Sequence, residues 1–419
     1  MEIISKDNLN QYLSEYDDKL YDLIKQNKSY EELKIVSFNQ LNDIYQVNDK
    51  IDNLSVSKIK YFKEYIENYY FQKSNEYKMR IKKRIDIIEK VESLKKLELP
   101  EQRSKEWYEL RECILTASSL ADAIGEGHFC TREQLLIQKC GGPRGTVPFE
   151  IVEWGVMYEP VATEFYELLN NVTVLEFGLV PHPEFKIFGA SPDGICDINS
   201  HEEYIGRMLE IKCPPKRNFT NEVPRHYWMQ MQGQLESCDL EECDFLQVKF
   251  IEYSDENEYQ NDIYKENEII KTGYSSLNLP KGLVLAFVKD NYEGNPTIDY
   301  KYSKLCLSYE DILEWSLKEV CNYSKDYDHI VKHWWKIERY ECVLVGRDRQ
   351  WWLETQPKII DFWEDVEHHR KIGIQELLDK KEEKKNKKLK NKKKVSKNSF
   401  NIDKSIVEEI NKKYLIDSD

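Results

Sequence analysis

The sequence predicts an α/β fold, and three observations carry that prediction. Between about 99 and 365, strand-like runs such as Phe245 to Tyr253 and Gly282 to Val288 alternate with stretches of helical period. Glycine, proline and tryptophan punctuate this region, whereas residues 1–98 hold no glycine at all. At 419 residues, 40% hydrophobic and 12% aromatic, the chain is long enough for two or three structural units and can bury a substantial core.

Composition divides the chain into three zones. Residues 1–98 are rich in Lys, Glu, Asp, Asn and Tyr, with Tyr61, Tyr65, Tyr69 and Tyr70, then Ile81, Ile85, Ile87 and Val91, at helical intervals. This is a helical N-terminal region suited to packing, oligomerisation or a partner. Residues 99–369 hold every candidate site residue. Residues 370–419 begin as a helix, Ile372 to Leu378, and run into Lys380 to Lys397, with eleven lysines against two glutamates. Such a tail cannot build a core; it is either simply solvated or drawn to phosphate by counterion release.

Formal net charge is -15, yet a nucleic-acid surface requires only a local basic patch. No run of about 18 apolar residues predicts a membrane helix. Met1 to Asn10 lacks the apolar core of a signal peptide. Ten cysteines lie between Cys113 and Cys342 without a CxxC; Cys238 and Cys243 are the closest pair, and no second pair completes a zinc site. The expectation is an intracellular protein of cytoplasm or nucleus, not secreted, with reduced and mostly buried thiols. His329 and His333 stand at helical i,i+4 spacing without a third ligand and read as structural.

Taken in chain order, the first chemical element is Trp107 to Arg111, followed by Leu115 to Ser118 and a helix stopping at Gly125. Arg111 suits bidentate phosphate recognition, or an ordinary surface ion pair; Thr116 or Ser118 would cap the helix and bind phosphate oxygens at its N-terminus. Next, Glu159 lies beside an apolar helical stripe of Val161, Phe165, Leu168 and Leu169 and points toward the strands, unless it is merely a charge favoured near a helix start. Ile187 to Gly194 reads as a strand interrupted near its end by Pro192. In Met208 to Pro214, Leu209 and Ile211 face one way and Glu210 and Lys212 the other. A polar link, Asp197 to Gly206, would make these strands antiparallel neighbours and bring Asp193 beside Glu210. Finally, Tyr227, Met231, Leu235 and Cys238 form a buried helical stripe, with Gln230 and Gln234 together on the neighbouring face. These glutamines are boundary residues or partners of a metal-bound water.

A carboxylate pair with a lysine between apolar neighbours is costly unless it is used. Hard oxygen ligands suit Mg²⁺, which retains waters and takes substrate phosphate, and Lys212 would hold the attacking water.

Five segments in this order, RSKEWYELRECILTAS, WGVMYEPVA, GASPDGIC, LEIKCPP and YWMQMQGQLE, resemble the YqaJ-type viral recombinase family. That family includes the lambda-type alkaline exonucleases and is a branch of the PD-(D/E)XK nuclease superfamily. The resemblance covers about Gln102 to Cys238. It implies a restriction-endonuclease-like core, a mixed central sheet flanked by helices. It also implies Mg²⁺-dependent hydrolysis of duplex DNA from an end, 5′ to 3′, in viral-type recombination, repair or genome processing. By resemblance, Asp193, Glu210 and the Ile211 carbonyl ligate metal, Glu159 serves a second ion or its water, and Mn²⁺ can replace Mg²⁺. Lys212 activates water, Gln230 bonds near the nucleophile, and Arg111, Ser118 and Ser191 form a 5′-phosphate pocket. Double-stranded DNA ends, a single-strand annealing protein and a homo-oligomeric ring are the implied partners. The rival readings are an endonuclease of the same superfamily and, in another class, a catalytically idle DNA-binding scaffold. A carboxylate-pair glycosidase leaves Lys212 and Arg111 unexplained. Trp334, Trp335, Trp351, Trp352 and Trp363 lie outside the motifs and read first as core, second as base-stacking residues.

Overall fold

The β-branched and aromatic runs of the sequence become the strands of one mixed sheet, and the stretches of helical period flank it. The computed structural model describes residues 79, 82–128, 130–143, 148–216, 219–291, 294–384 and 387. The tyrosine stripe of 61–70 and the lysine run beyond 387 lie outside the described residues. Two compact units divide the chain: residues up to Leu97 with Asp197–Gly206, and Glu98–Cys196 with Arg207 onward. In the first, residues 82–95 are helical and bury Val91 and Leu94, while Ile85 of the expected stripe is exposed. Lys95 there bonds Glu92 at 2.8 Å and Asp197 at 3.4 Å.

The second unit runs α1 (Lys105–Cys113), β1 (Leu115–Thr116), α2 (Arg132–Lys139), α3 (Phe149–Asn170), β2 (Val174–Leu175), β3 (Val180–Pro181), β4 (Phe188–Ala190), β5 (Gly194–Cys196) and β6 (Met208–Lys212). It continues with α4 (Arg225–Cys238), β7 (Glu242–Glu252), α5 (Glu256–Asn261), β8 (Tyr264–Glu266), β9 (Ile269–Lys271), β10 (Lys281–Lys289), β11 (Thr297–Tyr302), α6 (Tyr309–Tyr323), β12 (His329–Gly346) and α7 (Arg349–Ile372). Seven strands form the main sheet in the order β11-β10-β12-β7-β6-β5-β2, and β1-β4-β3 form a second. Within the main sheet only β6 and β7 are parallel, so the chain must cross over between them, and α4 is that crossover. This is the mixed sheet with flanking helices that the sequence predicts.

Several local expectations are corrected. Ile187 to Gly194 is not one strand: β4 and β5 belong to different sheets, joined through Ser191, Pro192 and Asp193. Pro192 has no N–H for a ladder, and the chain changes sheets there. His329 and His333 lie in β12, where i,i+4 also shares a face, and His333 Nδ1 pairs with Glu252 at 3.0 Å. Along α3 the buried residues are Met157, Tyr158, Val161, Ala162, Phe165 and Tyr166, whereas Leu168 and Leu169 of the expected stripe are exposed. All ten cysteines are free thiols, but only Cys196, Cys238 and Cys243 are buried, while Cys113, Cys321 and Cys342 are exposed. Among the described residues no helix is long and apolar enough to cross a membrane.

The core between α4, α7 and β4 includes Leu115, Phe188, Trp352, Phe362 and Trp363. Four of the five flagged tryptophans are core residues, Trp334 and Trp335 beside β10 and Trp352 and Trp363 on α7; Trp351 is only half-buried. Gly233 in α4 faces Phe188 and Ala117 so closely that a Cβ would meet them at 2.8 and 3.1 Å. At the other end of this core, Lys139 donates to the Arg111 and Ile114 carbonyls and Arg370 to that of Glu112, satisfying the C-terminal carbonyls of α1.

Candidate active site

Antiparallel pairing of Gly194 with Leu209 and Ile195 with Met208 puts Asp193 at the mouth of β6. Its carboxylate accepts the Ile211 N–H at 2.6 Å. Glu210 is fully buried, and alternation along β6 aims it at α4. There Gln230 Nε2 donates to Glu210 Oε1 at 2.7 Å and Gln234 Nε2 to Oε2 at 2.6 Å; Lys212 Nζ pairs with Oε1. The carboxylate is thus clamped on both oxygens. Gln230 and Gln234 stand four apart, one helical turn, which is why one strand residue reaches both. Both are legible as a pair in the sequence, but the resemblance points to Gln230 alone.

Charge in this cluster is unbalanced. Burial pushes the Asp193 carboxyl well above the usual carboxylate range, and the Glu210 charge adds to that, against the opposing pull of Lys212. Burial disfavours the Lys212 ammonium, but the charges of Glu210 and Asp193 outweigh it and raise its pKa. Glu159, half-buried on α3, is raised by burial, with the Arg103 and Lys212 charges opposing and Glu210 adding. Arg103, which sequence reasoning did not single out, bonds both Glu159 oxygens at 3.3 Å from a left-handed backbone, φ 67°. No pattern in the sequence signals that conformation.

A second cluster adjoins the first. Arg111 donates to Ser118 Oγ at 3.2 Å and lies 4.2 Å over the Trp107 ring. Trp107 Nε1 donates in turn to Ser191 Oγ at 3.0 Å, and the Ser191 carbonyl accepts from Gln234 at 3.4 Å. Ser118 does not cap a helix as expected. It lies in a 3-10 turn, Ala117–Ser119, with no side-chain cap, and shares its hydroxyl with Thr116 at 3.2 Å. Gln102 secures the Pro192 carbonyl at 3.2 Å.

These contacts span the segment that matches a known family model. Residues 106–241 match the YqaJ-like viral recombinase domain. Beyond that segment the likeness extends to an uncharacterized protein of Acanthamoeba polyphaga mimivirus. It is 30% identical over 358 residues, 78% of this chain and 62% of that protein. A protein of African swine fever virus, strain Badajoz 1971 Vero-adapted, is 26% identical over 160 residues, 32% of this chain and 46% of its own length. The chain therefore spans less than two thirds of both relatives. Among solved structures, an alkaline exonuclease (LHK-Exo) from Laribacter hongkongensis is 19% identical, with a TM-score of 0.36 over 67% of this chain and 99% of that one.

The donor set of this site fits a hard divalent cation. Asp193, Glu210 and the Ile211 carbonyl offer only oxygen, and the carboxylates outnumber the charges that balance them. Gln234 Oε1 is also buried with no hydrogen-bond partner among the described residues. No three His, Cys, Asp or Glu side chains among them form a ready cage. Mg²⁺ rarely uses one, being bound by one or two carboxylates plus waters and substrate phosphate.

Proposed function

We propose that this chain is a divalent-metal-dependent exonuclease that hydrolyses duplex DNA from a 5′ end. The observation that carries this reading is the junction at Ser191. Its carbonyl leans on Gln234 of the carboxylate–lysine cluster, and its hydroxyl leans on Trp107, which stacks Arg111 above Ser118. A reacting centre and an arginine–serine cluster are thus built on one residue, as an enzyme that grips a terminal phosphate while cutting beside it requires.

Asp193, Glu210 and the Ile211 carbonyl would hold Mg²⁺ or Mn²⁺, with Glu159 serving a second ion. When bound, such an ion neutralises phosphate charge and lowers the pKa of a bound water. Lys212 presents its ammonium to the nucleophile and to developing charge. Gln230 and Gln234 fix the Glu210 rotamer, so that its oxygens are set before substrate arrives. Arg111 matches a phosphate with two parallel N–H donors, and Ser118 and Ser191 add hydroxyls.

The test is degradation of 5′-phosphorylated, 5′-hydroxyl and closed circular duplexes, each with and without Mg²⁺. Rapid loss of the phosphorylated linear duplex, dependent on metal, is expected. Efficient cutting of circles overturns the exonuclease reading, and no hydrolysis of any duplex overturns the nuclease reading.

A further inference from the structure

A second feature of α4 has no part in holding Glu210. Arg225 and Trp228, three apart, share one face of the helix, nearly opposite the face of Tyr227, Gln230 and Gln234. The Arg225 guanidinium lies 4.2 Å over the Trp228 ring and 5.5 Å from the ring of Trp351. Trp228 and Trp351 meet edge to face, centroids 4.9 Å apart, and both remain half-exposed. Trp351 is the exception among the five downstream tryptophans, the others having gone to the core.

The pair is rigidly mounted. Buried Gln232 donates to the Gly346 carbonyl at 2.9 Å and accepts the Asp348 N–H at 2.6 Å, locking α4 to the start of α7. Asp348 caps α7 by accepting the Trp351 N–H at 2.9 Å. Trp351 is therefore placed by a helix cap that is itself held by a residue of α4. The first turn of α4 also reaches the reacting centre, through Tyr227 on its other face. The Tyr227 ring lies 4.1 Å from that of His226 and carries the Lys212 ammonium at 5.1 Å. Glu126 is the acidic neighbour, 4.0 Å from Arg225 and 3.9 Å from Lys358.

A rigid, half-exposed indole pair under a stacked guanidinium suits flat, uncharged π-faces better than it suits a phosphate. We infer that Arg225, Trp228 and Trp351 form a stacking platform for unpaired nucleobases of a strand opened at the DNA end, on the face of α4 turned away from Glu210. The inference rests on the nuclease reading for its place in the reaction, yet it is tested by binding alone.

The measurement is the affinity of a single-stranded oligothymidylate for the full chain in EDTA, across a series of salt concentrations. Trp351→Ala and Trp228→Ala each weaken binding roughly tenfold, because stacking on one ring carries that much, while Trp351→Phe stays within about threefold of wild type. The slope of affinity against salt is unchanged in all three, since no phosphate contact is removed. Affinities of both alanine variants within about twofold of wild type overturn the platform. So does a loss that Phe does not rescue, or one accompanied by a reduced salt slope, which would mark phosphate binding. Because EDTA abolishes metal-dependent hydrolysis, these outcomes are independent of whether the wild type cuts DNA.

Discussion

A half-buried lysine and a buried one in the same unit are driven in opposite directions. Lys212 meets carboxylates: burial works against its charge, but Glu210 and Asp193 prevail and its pKa rises. Lys281, almost wholly buried, meets carbonyls, donating to those of Tyr259 and Asp262 and lying 4.1 Å over the Tyr259 ring. Burial pulls its pKa down to about 8, with Asp262 opposing and Lys336 adding. The Asp262 carboxylate is already engaged by Lys336 at 2.7 Å, Tyr253 at 2.8 Å and the Ser276 N–H at 2.7 Å. The difference teaches what sets a reacting centre apart from a structural cluster. Around Lys281 each charge has an answering group, whereas around Lys212 negative charge is left over, which is what a cation or a phosphodiester–metal complex requires.

The largest break in this comparison comes from Lys212→Ala. Single-turnover release of nucleotides from a 5′-phosphorylated duplex in Mg²⁺ falls by roughly 10²- to 10³-fold, the scale of losing one donor to developing charge. A rate within a factor of two of wild type would place Lys212 with Lys281 as a structural residue. Next in size, Arg111→Ala removes most of the preference for 5′-phosphorylated over 5′-hydroxyl ends, about tenfold, from the loss of a charge-assisted hydrogen-bonded pair. An unchanged end preference counts against the terminal-phosphate role.

Lys281 gives a smaller, opposite signature. Its folded pKa of about 8 lies below the unfolded value of 10.5, so between those limits the unfolded chain binds more protons and stability rises with pH. The slope from this group is at most about 1.4 kcal/mol per pH unit. Denaturant titrations of Lys281→Met between pH 8 and 9.5 should show a shallower rise than wild type, and equal slopes would show that this lysine keeps its charge. The smallest effect belongs to His182, buried and stacked on Trp352, whose Nδ1 accepts the N–H groups of Glu184 and Phe185 at 3.2 and 3.0 Å. Burial lowers its pKa, the Glu236 charge opposing, so stability is lost as pH falls below about 6.5. His182→Gln should flatten that acid limb; an unchanged limb assigns it to other groups.

How much was legible depends on whether a feature is carried by period or by three-dimensional accident. The alternation Leu209, Glu210, Ile211, Lys212 is a period-2 signal, and the polar link of residues 197–206 pointed to antiparallel neighbours, which are β5, beginning just after Asp193, and β6. The spacing of Gln230 and Gln234 was likewise visible. The sheet change at Pro192 was not, because Phe188 to Ala190 and Gly194 to Cys196 have the same apolar texture whichever sheet receives them. His329 and His333 illustrate an ambiguity of period: a separation of four shares a face on a helix and on a strand alike. Arg103 depends on a left-handed backbone, and Gln232 on a segment more than a hundred residues away, neither of which leaves a local trace.

Gly233 sits between the two glutamines that flank it, Gln232 and Gln234, and lets α4 rest on Ala117, beside Ser118. The span between the serine that would grip a terminal phosphate and the glutamine that seats Glu210 is therefore governed by a hydrogen atom where other residues carry a methyl. On the exonuclease reading that span acts as a gauge. It sets how far the end-binding cluster lies from the reacting bond, and a single added carbon, meeting Phe188 at 2.8 Å and Ala117 at 3.1 Å, would strain that spacing.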